Sequence, residues 1–177
     1  MKLGFRQAQT SDEPTVADLQ AEAIAWLASK GTDQWQTTAP HNPWASTDRS
    51  LSSSIAQGKV FLALDGETAV GSLTLDDFAD PEFWTETDDP ASALYVHRMV
   101  IVRRLAGQGL GGQMLDWAVR ETADQGHRWL RLDAWKTNTA LHAYYRSQGF
   151  ELVRVVDLPH RGSGALFQKD VRVAMPA

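Results

Sequence analysis

Apolar and polar positions alternate with two different periods along this chain, and the switches between them mark out its elements. Lys2 to Gln7 reads as a first strand. Val16, Leu19, Ala23, Trp26 and Leu27 then fall at helical spacing up to Lys30, the pattern of one buried helix face. Ser11 or Asp12 can cap this helix, Pro14 is tolerated in its first turn, and Gly31 stops it. A stretch rich in turn formers follows, carrying Trp35 and Trp44, and then a short helix around Leu51 to Gln57. Lys59 to Leu64 and Ala69 to Leu75 read as two strands joined at Asp65-Gly66, a hairpin dipeptide. Tyr95, Val96, Met99, Val100, Ile101 and Val102 form a β-rich run of strand length. Beyond it, Leu110, Met114, Leu115, Ala118 and Val119 line one side of a helix, with Gln113, Asp116, Arg120 and Asp124 opposite, until Gly126. The remaining elements are a strand from Trp129 to Trp135, a helix opened by Asn138 and ended near Gly149, and strands at Phe150 to Asp157 and Leu166 to Val173. The last strand is expected to close the sheet, pairing with its predecessor across the turn His160 to Gly164. The order of strands and helices predicts an α/β chain.

The junction between the 95–102 strand and its helix is the most informative place. Gly107, Gly109, Gly111 and Gly112 lie there, and no Asp or Glu occurs from Met99 to Leu115, while Arg98, Arg103 and Arg104 stand just before the turn. Glycines let a backbone approach a ligand closely and adopt dihedrals that a Cβ forbids. The first amides of a helix lack intrahelical partners and sit at the positive end of its dipole, which suits a phosphate or diphosphate. The Walker tripeptide Gly-Lys-Ser/Thr is absent. The dinucleotide pattern Gly-x-Gly-x-x-Gly does not match, although Asp133 lies in the zone where that fold places its acidic residue, so this reading stays open beside that of a turn with no ligand.

Composition narrows the class. The chain of 177 residues is long enough for one domain with a substantial core, and 43% hydrophobic content with seven Trp excludes disorder. No apolar run approaches the roughly 18 residues of a membrane span, and the N-terminus lacks an export signal, so a cytoplasmic location is expected. Cysteine is absent, and the five His show no zinc-type spacing, so no metal is expected. The net charge of −5 is unevenly spread: residues 1–97 carry 5 basic and 15 acidic side chains, and residues 98–177 carry 12 and 7. Such a division suggests two ligands of opposite charge, and the lack of a dense Lys/Arg run disfavours nucleic acid. Residues 76–93 hold seven acids and no Lys or Arg, interleaved with Phe78, Phe83 and Trp84. They read either as a solvated loop or as a receiver for a cationic amine.

The glycine block, taken with the later block Arg128 to Val153, resembles the GNAT acetyltransferase superfamily, whose members transfer acyl groups from coenzyme A. Its diphosphate-binding motif is Gln/Arg-x-x-Gly-x-Gly/Ala. One register puts Gly109 and Gly111 on the small positions, with Gln108 between Gly107 and Gly109 and the Gln/Arg position falling on Ala106. That register is preferred for where it starts the helix, with Arg103 or Arg104 supplying the charge. A register two residues earlier reads Arg104, Gly107 and Gly109. The later block matches the family's Asn…Tyr-x-x-x-Gly-Phe through Asn138, Tyr145, Gly149 and Phe150.

The resemblance implies a single domain over residues 1–177. Its sheet is mixed and mostly antiparallel, with about six or seven strands, splayed parallel middle strands and about four flanking helices. It implies acetyl-CoA or coenzyme A as cofactor, held by Met99, Val100, Ile101, Arg104, Gly107, Gln108, Gly109, Leu110, Gly111, Gly112, Asn138 and Tyr145. The pantetheine arm would pair with open backbone groups beside Met99 to Val102. Tyr145 takes the family's general-acid position, and a phenol with a reference pKa of about 10 can donate to a leaving thiolate. The family's basic Glu falls on Tyr95. His97 lies on the same strand face and titrates near neutrality as a residue type, so it is the candidate base, with Asp133 and Asp76 as others. The expected reaction is direct attack by a primary amine of a small, cationic acceptor in a ternary complex, by a monomer or homodimer. A non-catalytic acyl-CoA sensor and an acetyltransferase of protein N-termini or lysines are the alternatives.

Overall fold

A computed structural model describes residues 1–32, 34–35 and 49–173. Among these residues the elements are β1 (Gly4–Gln7), α1 (Glu13–Ser29), α2 (Leu51–Ala56), β2 (Val60–Asp65), β3 (Thr68–Asp76), β4 (Ala93–Ile101), α3 (Leu110–Asp124), β5 (Trp129–Trp135), α4 (Thr139–Ser147), β6 (Glu151–Val155) and β7 (Ser163–Asp170). Trp44 lies outside the described residues. One seven-stranded sheet runs in the order β1-β2-β3-β4-β5-β7-β6. The β1/β2, β2/β3, β5/β7 and β6/β7 ladders are antiparallel, and β4/β5 is parallel. This is the mixed, mostly antiparallel sheet that the resemblance implied.

The parallel ladder joins only Ala93 to Trp129, Leu94 to Leu130 and Tyr95 to Arg131, so the two middle strands part beyond that point. The last strand pairs with its predecessor as expected, but it does not close the sheet. β7 pairs with both β5 and β6, so it lies inside the sheet, and β6 is the edge. Burial explains the exchange: Ala165, Leu166 and Phe167 are fully buried, whereas β6 is half-exposed along its length. A strand covered on both faces reads as an apolar run and belongs in the interior.

The chain divides into two compact units, each made of two stretches. The first takes Met1–Thr74 and Arg98–Met114. Its core gathers Ala8, Val16, Leu19, Ile55, Val60, Leu62 and Val100, with Trp35 packed against it. α1 starts where expected, but the Asp12 carboxylate does not cap it. That carboxylate accepts the Gln9 N–H at 2.7 Å and pairs with Arg6 at 2.7 Å, which holds its pKa down at about 2. The second unit takes Leu75–His97 and Leu115–Ala177. Phe83, Trp84, Ala93, Tyr95 and Leu166 form a buried cluster there.

Candidate active site

In the first unit, β4 leads through a short turn at Arg103–Leu105 into Ala106 and then the glycines. Gly107 and Gly109 hold left-handed backbones, with φ of 79° and 76°, and α3 begins at Leu110. The first helical bond runs from the Gln113 N–H to the Gly109 carbonyl at 3.3 Å, so Gly109 occupies the cap position. Gly111 and Gly112 are already helical. The backbone thus favours the register Arg104-Gly107-Gly109 over the one placed on Gly109 and Gly111, because the strained dihedrals fall on the earlier pair.

The amides of Gly107, Gln108, Gly109, Leu110, Gly111 and Gly112 make no hydrogen bond to protein among the described residues. An array of unpartnered N–H groups at a helix start is an anion site in waiting. The two neighbouring arginines divide their work. The Arg103 guanidinium lies 3.7 Å from the Trp26 ring centroid, and its backbone N–H donates to Glu22 at 3.1 Å, so α1 buttresses the entry to the turn. Arg104 is exposed and makes no ion pair among the described residues. Sequence reasoning missed this buttress, although Glu22 and Trp26 stand four apart on one helix face.

Within β4, Arg98 adopts a left-handed φ of 49°, a strained geometry for a side chain-bearing residue. Burial, then the charge of Arg49, lowers its pKa to about 10. Val100 turns into the core, while Met99 and Ile101 are half-buried. The Val102 N–H is taken by the Val70 carbonyl at 2.9 Å, so the open edge expected beside Met99 to Val102 does not include that amide.

The second unit brings two of the candidate bases together. His97 Nε2 lies 3.1 Å from Asp76 Oδ1, and both residues are buried. The His97 ring stacks on Tyr95 at 6.5 Å between centroids and tilts against Phe78 at 6.3 Å. The third candidate, Asp133, accepts the Ser163 hydroxyl.

On α4, the Asn138 side chain accepts the Leu141 N–H at 3.0 Å, the local capping role. Tyr145 packs its ring against Phe150, Phe167 and Tyr144, with centroids 5.5–5.9 Å away. Its hydroxyl has no hydrogen-bond partner among the described residues. Burial first, then Tyr144 and Asp133, pushes this phenol above its ordinary range, so it carries its proton throughout the neutral region.

Residues 76–93 are solvated in part, with Asp77, Glu82, Glu86 and Asp89 exposed, while several of their acids are held from within. Arg154 holds Asp88 through two bonds of 2.8 and 2.6 Å, and Arg161 holds Asp80 at 2.7 Å and also binds Glu82. His160 lies 2.6 Å from Glu82. Arg131 is buried, donates to the carbonyl of Asp88 at 2.7 Å and to the Tyr95 hydroxyl at 3.3 Å, and stacks on Trp84. Phe83 and Trp84 are core residues. Asp80, Glu82 and Asp88 of the acidic half are thus paired with Arg154 and Arg161 of the basic half, so this part of the charge division is internal pairing.

The model of the acetyltransferase (GNAT) family matches residues 21–150. A curated relative, the uncharacterized N-acetyltransferase YesJ of Bacillus subtilis, is 29% identical over 146 residues, covering 80% of this chain and 78% of its own. A GNAT-family acetyltransferase from Listeria monocytogenes superimposes with a TM-score of 0.73 at 24% identity, covering 95% of this chain and 94% of that one. The PaiA N-acetyltransferase of Thermoplasma acidophilum, solved in complex with coenzyme A, superimposes with a TM-score of 0.70 at 16% identity, covering 96% and 99%. At these identities the two structural likenesses speak for the fold. Among the described residues, no helix is long and apolar enough to cross a membrane.

Proposed function

The chain belongs to the GNAT acetyltransferase family, and from that premise we propose that it acetylates the primary amine of a small molecule, with Arg104 and the 107–112 amides as its diphosphate grip. The enzyme is an acetyl-CoA-dependent acyltransferase. Acetyl-CoA supplies an activated acetyl thioester; the chain's own residues bind, orient and move protons. The observation that carries the reading is that, among the described residues, the amides from Gly107 to Gly112 and the nearby Arg104 guanidinium have no protein partner. Such a site fits a diphosphate, because it offers backbone donors, a helix N-terminus and an exposed cation.

The backbone of Met99, Val100 and Ile101 is the proposed edge for the amides of the pantetheine arm. Tyr145 is the proposed proton donor to the leaving sulfur. Its raised pKa and a hydroxyl with no hydrogen-bond partner among the described residues support that role. His97 is the proposed acceptor of the ammonium proton. The Asn138 cap fixes the start of the helix that carries Tyr145. A cationic acceptor draws no support from Asp80, Glu82 and Asp88, which are already paired.

The test is free-thiol release from acetyl-CoA across a panel of primary amines, with lysine-bearing and free N-terminal peptides alongside. Turnover with a small amine is expected. Coenzyme A binding with no release on any acceptor assigns the protein to sensing, and acetylated peptides with inert small amines move the acceptor to proteins.

A further inference from the structure

Resting on the reading of the chain as a small-amine acetyltransferase, we infer that Asp133 and Trp135 form the subsite that receives the acceptor as an alkylammonium. The carboxylate pairs with the charged head, and the indole covers the stem. The argument begins with charge. Asp133 is half-buried near the end of β5. Its hydrogen-bond partner among the described residues is the Ser163 hydroxyl, a neutral donor that also reaches the Ala134 carbonyl at 3.3 Å. Arg131, two residues earlier on the same strand face, does not neutralise it. That guanidinium donates instead to Gln168 at 3.2 Å, to the Tyr95 hydroxyl at 3.3 Å and to the Asp88 carbonyl at 2.7 Å. Asp80 and Asp88, by contrast, each hold an arginine. A carboxylate drawn out of water without a counter-charge is costly, and a cationic ligand offsets that cost.

The wall beside this charge is aromatic. Trp135 stands two residues beyond Asp133 and is the register partner of Ser163, so carboxylate, hydroxyl and indole share one face of the sheet. Gly162 seats the ring: a Cβ there would fall 1.9 Å from Trp135 Cη2, so the indole rests on bare backbone. The Trp135 side chain is half-buried and makes no hydrogen bond, ring contact or cation contact among the described residues. A carboxylate next to an open indole suits an alkylammonium, through an ion pair at the head and a π face along the stem. The place suits the reaction too. The parallel ladder ends at Tyr95 and Arg131, so Asp133 lies beyond the point where β5 parts from β4. After burial and Tyr144, the Asp133 charge is the third cause of the raised Tyr145 pKa, so the carboxylate stands within electrostatic reach of the proposed proton donor.

The test titrates the full chain, saturated with coenzyme A at neutral pH, with n-butylamine, and with n-butanol as the uncharged control. Indole N–H signals are followed by NMR, that of Trp135 being identified by its loss in Trp135→Phe. The Trp135 signal is expected to move with the amine and not with the alcohol. A wild-type signal that ignores the amine, or follows the alcohol equally, overturns the inference whether or not Asp133→Asn folds. That variant keeps the shape and an acceptor for Ser163, and its Kd for the amine should rise about tenfold or more, with the Kd for coenzyme A unchanged. Equal amine affinity in folded Asp133→Asn also overturns the inference. In thiol release with the best amine of the panel, the same substitution should raise KM far more than it lowers kcat. A loss carried in kcat at unchanged KM overturns the subsite and moves Asp133 to proton transfer. Amine binding at Trp135 with no thiol release from any amine upholds the subsite and removes small-amine acetylation.

Discussion

The glycine turn at residues 103–112 and the acidic stretch at residues 76–92 are the two most distinctive passages of the sequence, and they turn out to be opposites. In the turn, polar groups are left open: backbone amides from Gly107 to Gly112 and the Arg104 guanidinium find no protein partner among the described residues. In the acidic stretch, where charge is densest, the carboxylates of Asp80, Glu82 and Asp88 are bound by Arg154, His160 and Arg161, and Phe83 and Trp84 are buried. A ligand site is marked by unmet hydrogen-bonding capacity, and charge in the sequence measures that poorly. Buried polar groups are nearly always satisfied. The question for any polar cluster is whether the protein or a ligand satisfies it.

Substitutions can break this contrast, starting with the turn. Gly109→Glu puts a Cβ on a left-handed backbone and a carboxylate among the open amides. Coenzyme A binding by calorimetry should weaken by about a hundredfold or more, since strain and like charge act together. Normal binding would place the diphosphate elsewhere. Arg131→Ala, on the acidic side of the contrast, removes a buried guanidinium that binds Gln168, Tyr95 and the 88–89 carbonyls. It should cost about 3 kcal/mol in urea denaturation. A variant as stable as the parent would mean that the stretch is not held from within.

Tyr145→Phe tests the other open group. It deletes only a hydroxyl that has no partner among the described residues, so stability should hold while turnover falls at least about tenfold and coenzyme A binding stays unchanged. Equal turnover would return Tyr145 to packing. The smallest expected effect concerns acid. The two bonds from Arg154, followed by those from Thr85, hold the Asp88 carboxyl well below the usual carboxylate range, against the opposing pull of burial. Its folded pKa is depressed, so its contribution is present above the unfolded value of about 3.9 and is lost as pH falls toward the folded one. Arg154→Met should therefore flatten the loss of stability between about pH 4 and pH 2. An unchanged slope would show the pair to be idle.

The contrast also explains what could be read in advance. The turn was legible because its signals are local: glycines, an acid-free helix start and the amphipathic run Leu110 to Val119 all lie within one short segment. Only its register slipped, since one residue decides whether Gly109 caps the helix or enters it. The family resemblance gave Tyr145 and Asn138 their places in the sequence but not their surroundings. The fate of the acidic stretch was illegible, because Asp88 and Asp80 meet Arg154 and Arg161 across separations of 66 and 81 residues, and no local period encodes such a pairing. The exchange of β6 and β7 escaped for the same reason. The Asp76–His97 contact spans 21 residues. The sequence offered both as candidate bases, but only the fold makes them a pair.

Those long separations also bear on how the chain is made. During translation, Asp80 leaves the ribosome 81 residues before the arginine that neutralises it. Over that interval Phe83 and Trp84 await Leu166, their later partner in the cluster, while flanked by mutually repelling carboxylates. Self-repulsion of this kind keeps an unfinished segment in solution when its apolar side chains would otherwise draw nascent chains together. The same acids that lock the mature fold can thus act as a solubilising escort for its assembly.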